Sequence, residues 1–189
     1  SPMSLAFFAA SRRGLILGDG DSMVASPPAN AGTDLLTLIA QRMRGRPNTR
    51  NIAVSGSTSG HSGYATAPVP SFGYLHTGHN SYNSAVTGAF VHSNLTTIVT
   101  NWRNAGIATI ILGTCFPGVD LVGSEETERL AGNALILGDK CGADAVIDFA
   151  ALAYFQNTAN FPDGIHPDES GRILMAQAIV AVANPLVHL

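Results

Sequence analysis

The sequence contains a single lysine, Lys140, and only 12% of its 189 residues are charged. With so little positive charge and a net charge of −3, the chain has no electrostatic footprint for nucleic acid or an anionic membrane surface. Arg42, Arg44, Arg46 and Arg50 do cluster, and they read as the solvated end of a helix and the loop behind it. Cysteine is scarce as well. Cys115 and Cys141 allow one disulfide or none, and there is neither a CxxC pair nor a Cys/His spacing suited to zinc. No apolar run reaches the length that spans a bilayer. The opening Ser1–Phe8 is briefly apolar, but Arg12 and Arg13 follow it, the reverse of the order in a signal peptide. Residues 1–13 read as an N-terminal extension or linker, and residues 1–189 as a single domain.

Apolar residues, by contrast, make up 46% of the chain, enough to bury a real core and to exclude a disordered protein. So low a charge also suits a surface partly covered by other domains or subunits, as in a secreted protein or an extracellular or tail assembly. Leu15-Ile16-Leu17 is a buried strand that runs into the turn Gly18-Asp19-Gly20-Asp21-Ser22. A helix follows over Thr33–Arg44, stopped by Gly45 and Pro47, and Asn51–Val54 forms a second strand before the Ser/Gly turn Ser55–Gly60. A third strand is read at Phe72–Thr77. A helix at Thr87–Ala105 carries Phe90, Leu95, Ile98, Val99 and Trp102 on its apolar side. Ala108–Leu112 is a strand, Ser124–Cys141 a helix with Glu125, Glu126 and Glu128 near its N-terminus, and Ala145–Phe149 the last strand. The final helix runs from an Asp168 N-cap to Ala183, before Asn184-Pro185.

Strands that are apolar throughout and alternate with helices predict a parallel sheet covered on both faces. The expected fold is α/β, a flavodoxin-like three-layer α/β/α sandwich around about five strands. Cys115 then ends one strand and Cys141 precedes the next, at opposite edges of the sheet, so two free thiols are expected. In such sheets ligands sit beyond the C-terminal ends of the strands. Four segments there carry unusual residues: Gly20-Asp21-Ser22, Ser55-Gly56, Gly78-His79-Asn80, and Phe161-Pro162-Asp163-Gly164-Ile165-His166-Pro167.

Acyl transfer needs a nucleophile, a base, a group to orient that base, and donors for an oxyanion. Ser22, His166, Asp163 and the pair Gly56/Asn80 supply one of each. A serine hydroxyl is a poor nucleophile until a neutral imidazole accepts its proton. Asp163 and His166, three apart in a loop, can turn the same way, so that the carboxylate fixes one ring nitrogen. His61 and His79 lie in loops near this constellation and are candidate substrate contacts. Asp21 joins them, although its plainer reading is to fix the turn by local hydrogen bonds.

A rival reading takes Leu15–Asp21 as the strand-Asp-x-Asp of a haloacid-dehalogenase-like phosphatase. That chemistry needs a lysine ahead of its late acidic motif, and Lys140 comes after Asp139. The turn Ser55–Gly60 has no Gly-Lys-Ser/Thr, which excludes a P-loop. With Ser22 in Gly-Asp-Ser, Gly56 in Val-Ser-Gly, Asn80 in Gly-His-Asn and Asp163/His166 in Asp-Gly-Ile-His-Pro, the chain resembles the SGNH (GDSL-type) hydrolases over nearly its whole length. The resemblance implies metal-free and cofactor-free ester hydrolysis on a three-layer fold, with the Ser22 N–H joining Gly56 and Asn80 in the oxyanion hole. It departs from the family pattern at Ser81, where the third block carries an acid, at Met23–Pro28, where a small glycine follows the serine, and in the doubled Gly-Asp before Ser22. The absence of a lid or large apolar insertion points to short acyl groups. A carbohydrate O-acetylesterase is the first expectation and a general short-chain esterase or thioesterase the second. A catalytically silent glycan-binding or structural module of a larger protein is the alternative of another class.

Overall fold

The computed structural model describes residues 14–25, 34–60 and 69–187. Five strands, β1 (Leu15–Gly20), β2 (Asn48–Asn51), β3 (Phe72–His76), β4 (Thr109–Gly113) and β5 (Ala145–Ile147), form one parallel sheet in the order β2-β1-β3-β4-β5. The helices are α1 (Ser22–Ala25), α2 (Leu35–Arg42), α3 (His79–Asn83), α4 (Gly88–Asn104), α5 (Ser124–Asp139), α6 (Ala153–Gln156) and α7 (Glu169–Leu186). The expected three-layer α/β/α architecture is the one observed.

Successive strand residues point to opposite faces, and here both faces are dry. Ile16, Tyr74 and Ile111 pack with Leu35, Leu36 and Ile39 of α2 and Met175, Ala176 and Ile179 of α7. Leu17, Leu75 and Leu112 pack on the other side with Leu95, Ile98, Val99 and Trp102 of α4 and Ile136 of α5. Burial on both faces explains why these strands read as unbroken apolar runs. Side-chain caps start α2, α4 and α7: Asp34 accepts from the Thr37 amide (2.9 Å), Thr87 from Phe90 (3.3 Å) and Asp168 from Gly171 (2.9 Å).

Three expectations need correction. The second strand lies at Asn48–Asn51, three residues earlier than its apolar residues suggest, because an edge strand pairs through its backbone whatever its side chains. The chain nonetheless keeps running along β1, through Ile52 N–H to Gly18 O (2.9 Å) and Val54 N–H to Gly20 O (3.1 Å). Phe90 is 57% exposed rather than on the buried side of α4, since the stripe that meets the sheet is Val91, Leu95, Ile98 and Trp102. The last helix continues past Pro185 to Leu186, because a proline so near the C-terminus deprives the helix of only one bond. Both cysteines are free and buried, as expected.

Candidate active site

Strand β1 extends into the doubled Gly-Asp as far as Gly20, and Ser22 opens α1 immediately beyond the sheet edge. Gly20 makes this possible. Its φ is +140°, and a Cβ there would lie 1.9 Å from the His76 carbonyl oxygen, so only glycine lets β1 close on β3 at this point. The Asp21 amide donates to that same carbonyl (3.3 Å), and Asp21 Oδ1 accepts from the Met23 amide at 3.0 Å, which fixes the turn carrying the serine.

The residues of the last segment meet Ser22 across the sheet edge. His166 Nε2 lies 2.6 Å from Ser22 Oγ, and His166 Nδ1 lies 2.6 Å from Asp163 Oδ2. With a carboxylate on Nδ1, the ring carries its proton there and leaves Nε2 to accept from the serine hydroxyl. Asp163 also shapes the loop: its Oδ1 accepts from the amides of Ile165 (3.0 Å) and His166 (2.7 Å). Partial burial alone would raise its pKa, but the His166 amide and ring and the Ile165 amide outweigh it and hold the group down at about 2. Behind the loop, Asp168 N–H donates to Asn160 O (3.0 Å), Asn160 Nδ2 to Tyr154 O (2.8 Å), and the Tyr154 hydroxyl to the Asp168 carboxylate. Ser22 is 7% exposed and the His166 side chain 17%, so solvent reaches the pair without flooding it.

Gly56 and Asn80 belong to the same edge. Gly56 sits in an exposed turn at φ +78°, where a Cβ would meet nothing within 4 Å; its backbone angle, not space, calls for glycine. Ser57 Oγ donates to Gly20 O (3.0 Å), and Asn80 Nδ2 donates to Ser57 O (3.0 Å). One amide N–H of Asn80 is thereby used to fix the side chain, and the second N–H stays outside that bond. The linkage Gly20–Ser57–Asn80 ties the post-strand segments of β1, β2 and β3 together. Ser81, in place of the expected acid, does not loosen the arrangement. It is buried, its hydroxyl accepts from the Ser59 amide (2.8 Å), and it donates to Ser59 Oγ (3.0 Å).

Two expected substrate contacts are revised. Asp21 is fully buried beneath the turn, where burial pushes its pKa up against the pull of the Met23 amide and His79. His79 is 3% exposed and turned onto Asp120 (3.0 Å). His79 is turned inward as the first residue of α3, and Asp21 lies under the turn between β1 and α1. His61 lies outside the described residues. Ser57, Ser59 and the loop 114–123, whose Asp120 and Val119 reach the site, are functional neighbours that the sequence does not mark. Ser57 and Ser59 looked like ordinary turn residues, and nothing in Thr-Cys-Phe-Pro-Gly-Val-Asp announces contacts so distant in sequence.

Among the described residues, one group of metal-ligating types stands together: His92, Asp139 and Cys141, their ligand atoms within 4.8 Å of one another. It lies outside the constellation described above. Asp139 Oδ1 already accepts from His92 Nε2 (2.8 Å) and the Cys141 amide (2.8 Å), and burial raises the Cys141 thiol to about 11, against the thiolate a metal needs.

No protein-family model matches the chain, and no curated protein sequence does. Solved structures do. A member of the lipolytic protein G-D-S-L family from Veillonella parvula superposes with a TM-score of 0.73 at 19% identity, covering 89% of this chain and 97% of that one. A lipase/acylhydrolase from Enterococcus faecalis gives 0.73 at 17%, over 93% and 97% of the two chains. A carbohydrate esterase family 3 protein from Talaromyces cellulolyticus gives 0.68 at 16%, over 92% and 97%. The chain has the SGNH-hydrolase fold. At this level of identity the likeness is one of architecture, and among the described residues no helix is long and apolar enough to cross a membrane.

Proposed function

We propose that this chain is a serine ester hydrolase of the SGNH type, acting on short acyl esters and most readily on O-acetyl groups of a carbohydrate. The observation that carries the reading is the unbroken line Asp163–His166–Ser22, with both links at 2.6 Å, on a loop and a turn far apart in sequence. Ser22 Oγ attacks the acyl carbonyl while His166 Nε2 takes its proton, and Asp163 stabilises the resulting imidazolium. The negative charge that develops on the carbonyl oxygen is met by N–H groups of Ser22, Gly56 and Asn80. As the C–O bond breaks, His166 returns the proton to the leaving alkoxide. It then takes a proton from a water whose oxygen bonds to the acyl carbon, and passes that proton to Ser22 Oγ as the acyl–Oγ bond breaks and the acid leaves.

The substrate class rests on less extensive observations. Among the structural relatives are an acetyl esterase and a carbohydrate esterase family 3 protein. Hydrolysis of p-nitrophenyl acetate, butyrate and octanoate, set beside acetate release from acetylated xylan and chitin oligosaccharides, tests it. Rates that fall with chain length and acetate release from the oligosaccharides support the deacetylase. Rates that fall with chain length without release move the reading to a general short-chain esterase or thioesterase, and an octanoate rate equal to that of acetate contradicts the preference for short acyl groups. No turnover of any ester leaves a silent glycan-binding module.

A further inference from the structure

Three consecutive residues of α3 are fixed in three directions. Successive residues of a helix turn by roughly 100°, so positions 79 and 81 face nearly opposite ways with position 80 between them. Ser81 bonds the turn after β2 through Ser59, while His79 Nε2 bonds Asp120 in the loop after β4 at 3.0 Å. Asn80 reaches out between these ties.

The loop that supplies Asp120 is itself anchored. The Cys115 carbonyl accepts from Asn133 Nδ2 (2.7 Å) and Arg129 Nη1 (2.6 Å), and Glu126 holds the Arg129 guanidinium at 2.6 Å. One residue before Asp120, the Val119 amide donates to Gly164 O (3.0 Å) in the segment between Asp163 and His166. Adjacent residues of one loop therefore touch both the oxyanion side and the acid–base side of the site. Gly118 closes over the pair so tightly that a Cβ would stand 2.4 Å from His79 Cε1 and 2.7 Å from Asp120 Oδ1. Stability is a weak reason for such a contact, since a partly buried polar pair contributes little net free energy once its desolvation is counted. What it supplies is a fixed position for its neighbours.

We infer that His79 and Asp120 are positioning residues that hold the Asn80 amide in place for the oxyanion. The inference rests on the serine-hydrolase reading of Ser22 and His166. It is tested by kcat and KM on one short ester for wild type, Asp120→Ala, Asp120→Asn and His79→Gln, each also in an Asn80→Ala background. Loss of the tie by Asp120→Ala lowers kcat about tenfold with KM little changed, as a small misplacement of a catalytic group does. Asp120→Asn and His79→Gln keep an acceptor and a donor at the contact and recover most of that loss. In the Asn80→Ala background Asp120→Ala costs less than about twofold, because the group it positions is gone. An equal loss in both backgrounds overturns the inference. If Asp120→Ala fails to fold, the same comparison is made with His79→Leu, which removes the donor side of the tie. A readout independent of turnover separates this inference from the functional reading: the Asn80 side-chain amide resonance in ¹⁵N-labelled protein. It shifts or broadens in Asp120→Ala, while those of Asn101 and Asn104 on α4 stay put; an unmoved Asn80 signal sinks the positioning role even if the enzyme is active.

Discussion

The molecule holds two histidine–aspartate pairs at the same sheet edge, and they differ in what lies beyond the ring. His166 has Asp163 on Nδ1 and the Ser22 hydroxyl on Nε2, both at 2.6 Å. His79 has Asp120 on Nε2 at 3.0 Å, and its Nδ1 has no hydrogen-bond partner. One pair is open to solvent at its carboxylate, which is 44% exposed, while in the other the ring is 3% exposed beneath Gly118 and the carboxylate 26%. An acid that orients a ring is therefore not enough to make a base. The ring needs a free nitrogen with a nucleophile on it and room for a substrate carbonyl, and only the first pair offers these.

Removing the nucleophile or its base breaks the comparison most sharply. Ser22→Ala and His166→Ala should each lower kcat by about 10⁴-fold or more on p-nitrophenyl acetate, whereas His79→Gln keeps most of the activity. A fall as deep in His79→Gln would make the two pairs equivalent and contradict the account. Asp163→Asn should cost roughly 10³–10⁴-fold in kcat, because an amide no longer selects the ring tautomer that leaves Nε2 free. Asn80→Ala should cost about 10²–10³-fold with KM little moved, the usual loss of an oxyanion donor. A full-rate Asn80→Ala enzyme would remove it from the oxyanion hole.

The smallest expected effect is on stability and belongs to a third histidine. His76 is buried, stacked on Phe149 and bonded to the Tyr74 hydroxyl at 3.0 Å, and burial pulls its pKa from 6.5 down to about 3. Its neutral form is the folded one. As pH falls below 6.5 the unfolded chain takes up a proton that the folded chain refuses until about 3, so stability declines across that window. Urea midpoints between those limits should drop with pH in the wild type and drop less in His76→Gln; parallel curves would assign the acid sensitivity elsewhere.

The parts of the site that were legible in the sequence were those with local geometry. Asp163-Gly-Ile-His is a self-contained turn, and its carboxylate takes both the loop amides and the ring. The strands were legible because both their faces are buried, which leaves a run of apolar residues with no polar interruption. β2 was displaced because Asn48-Thr49-Arg50-Asn51 is an edge, and edge pairing leaves no mark on side-chain type. α3 went unread because His-Asn-Ser-Tyr-Asn has weak helix propensity and is held instead by contacts to other loops. The same reason hid Asp120 and reversed the expectation for His79. Their roles come from a contact across 41 positions of sequence, and local spacing carries no trace of it.

The most direct test of the central claim is covalent labelling of the folded protein by an alkyl fluorophosphonate, followed by intact mass and peptide mapping. The account predicts one adduct on Ser22 in the wild type, none in Ser22→Ala, and much slower labelling in His166→Ala. An unlabelled wild type, or an adduct on any other serine, would contradict it.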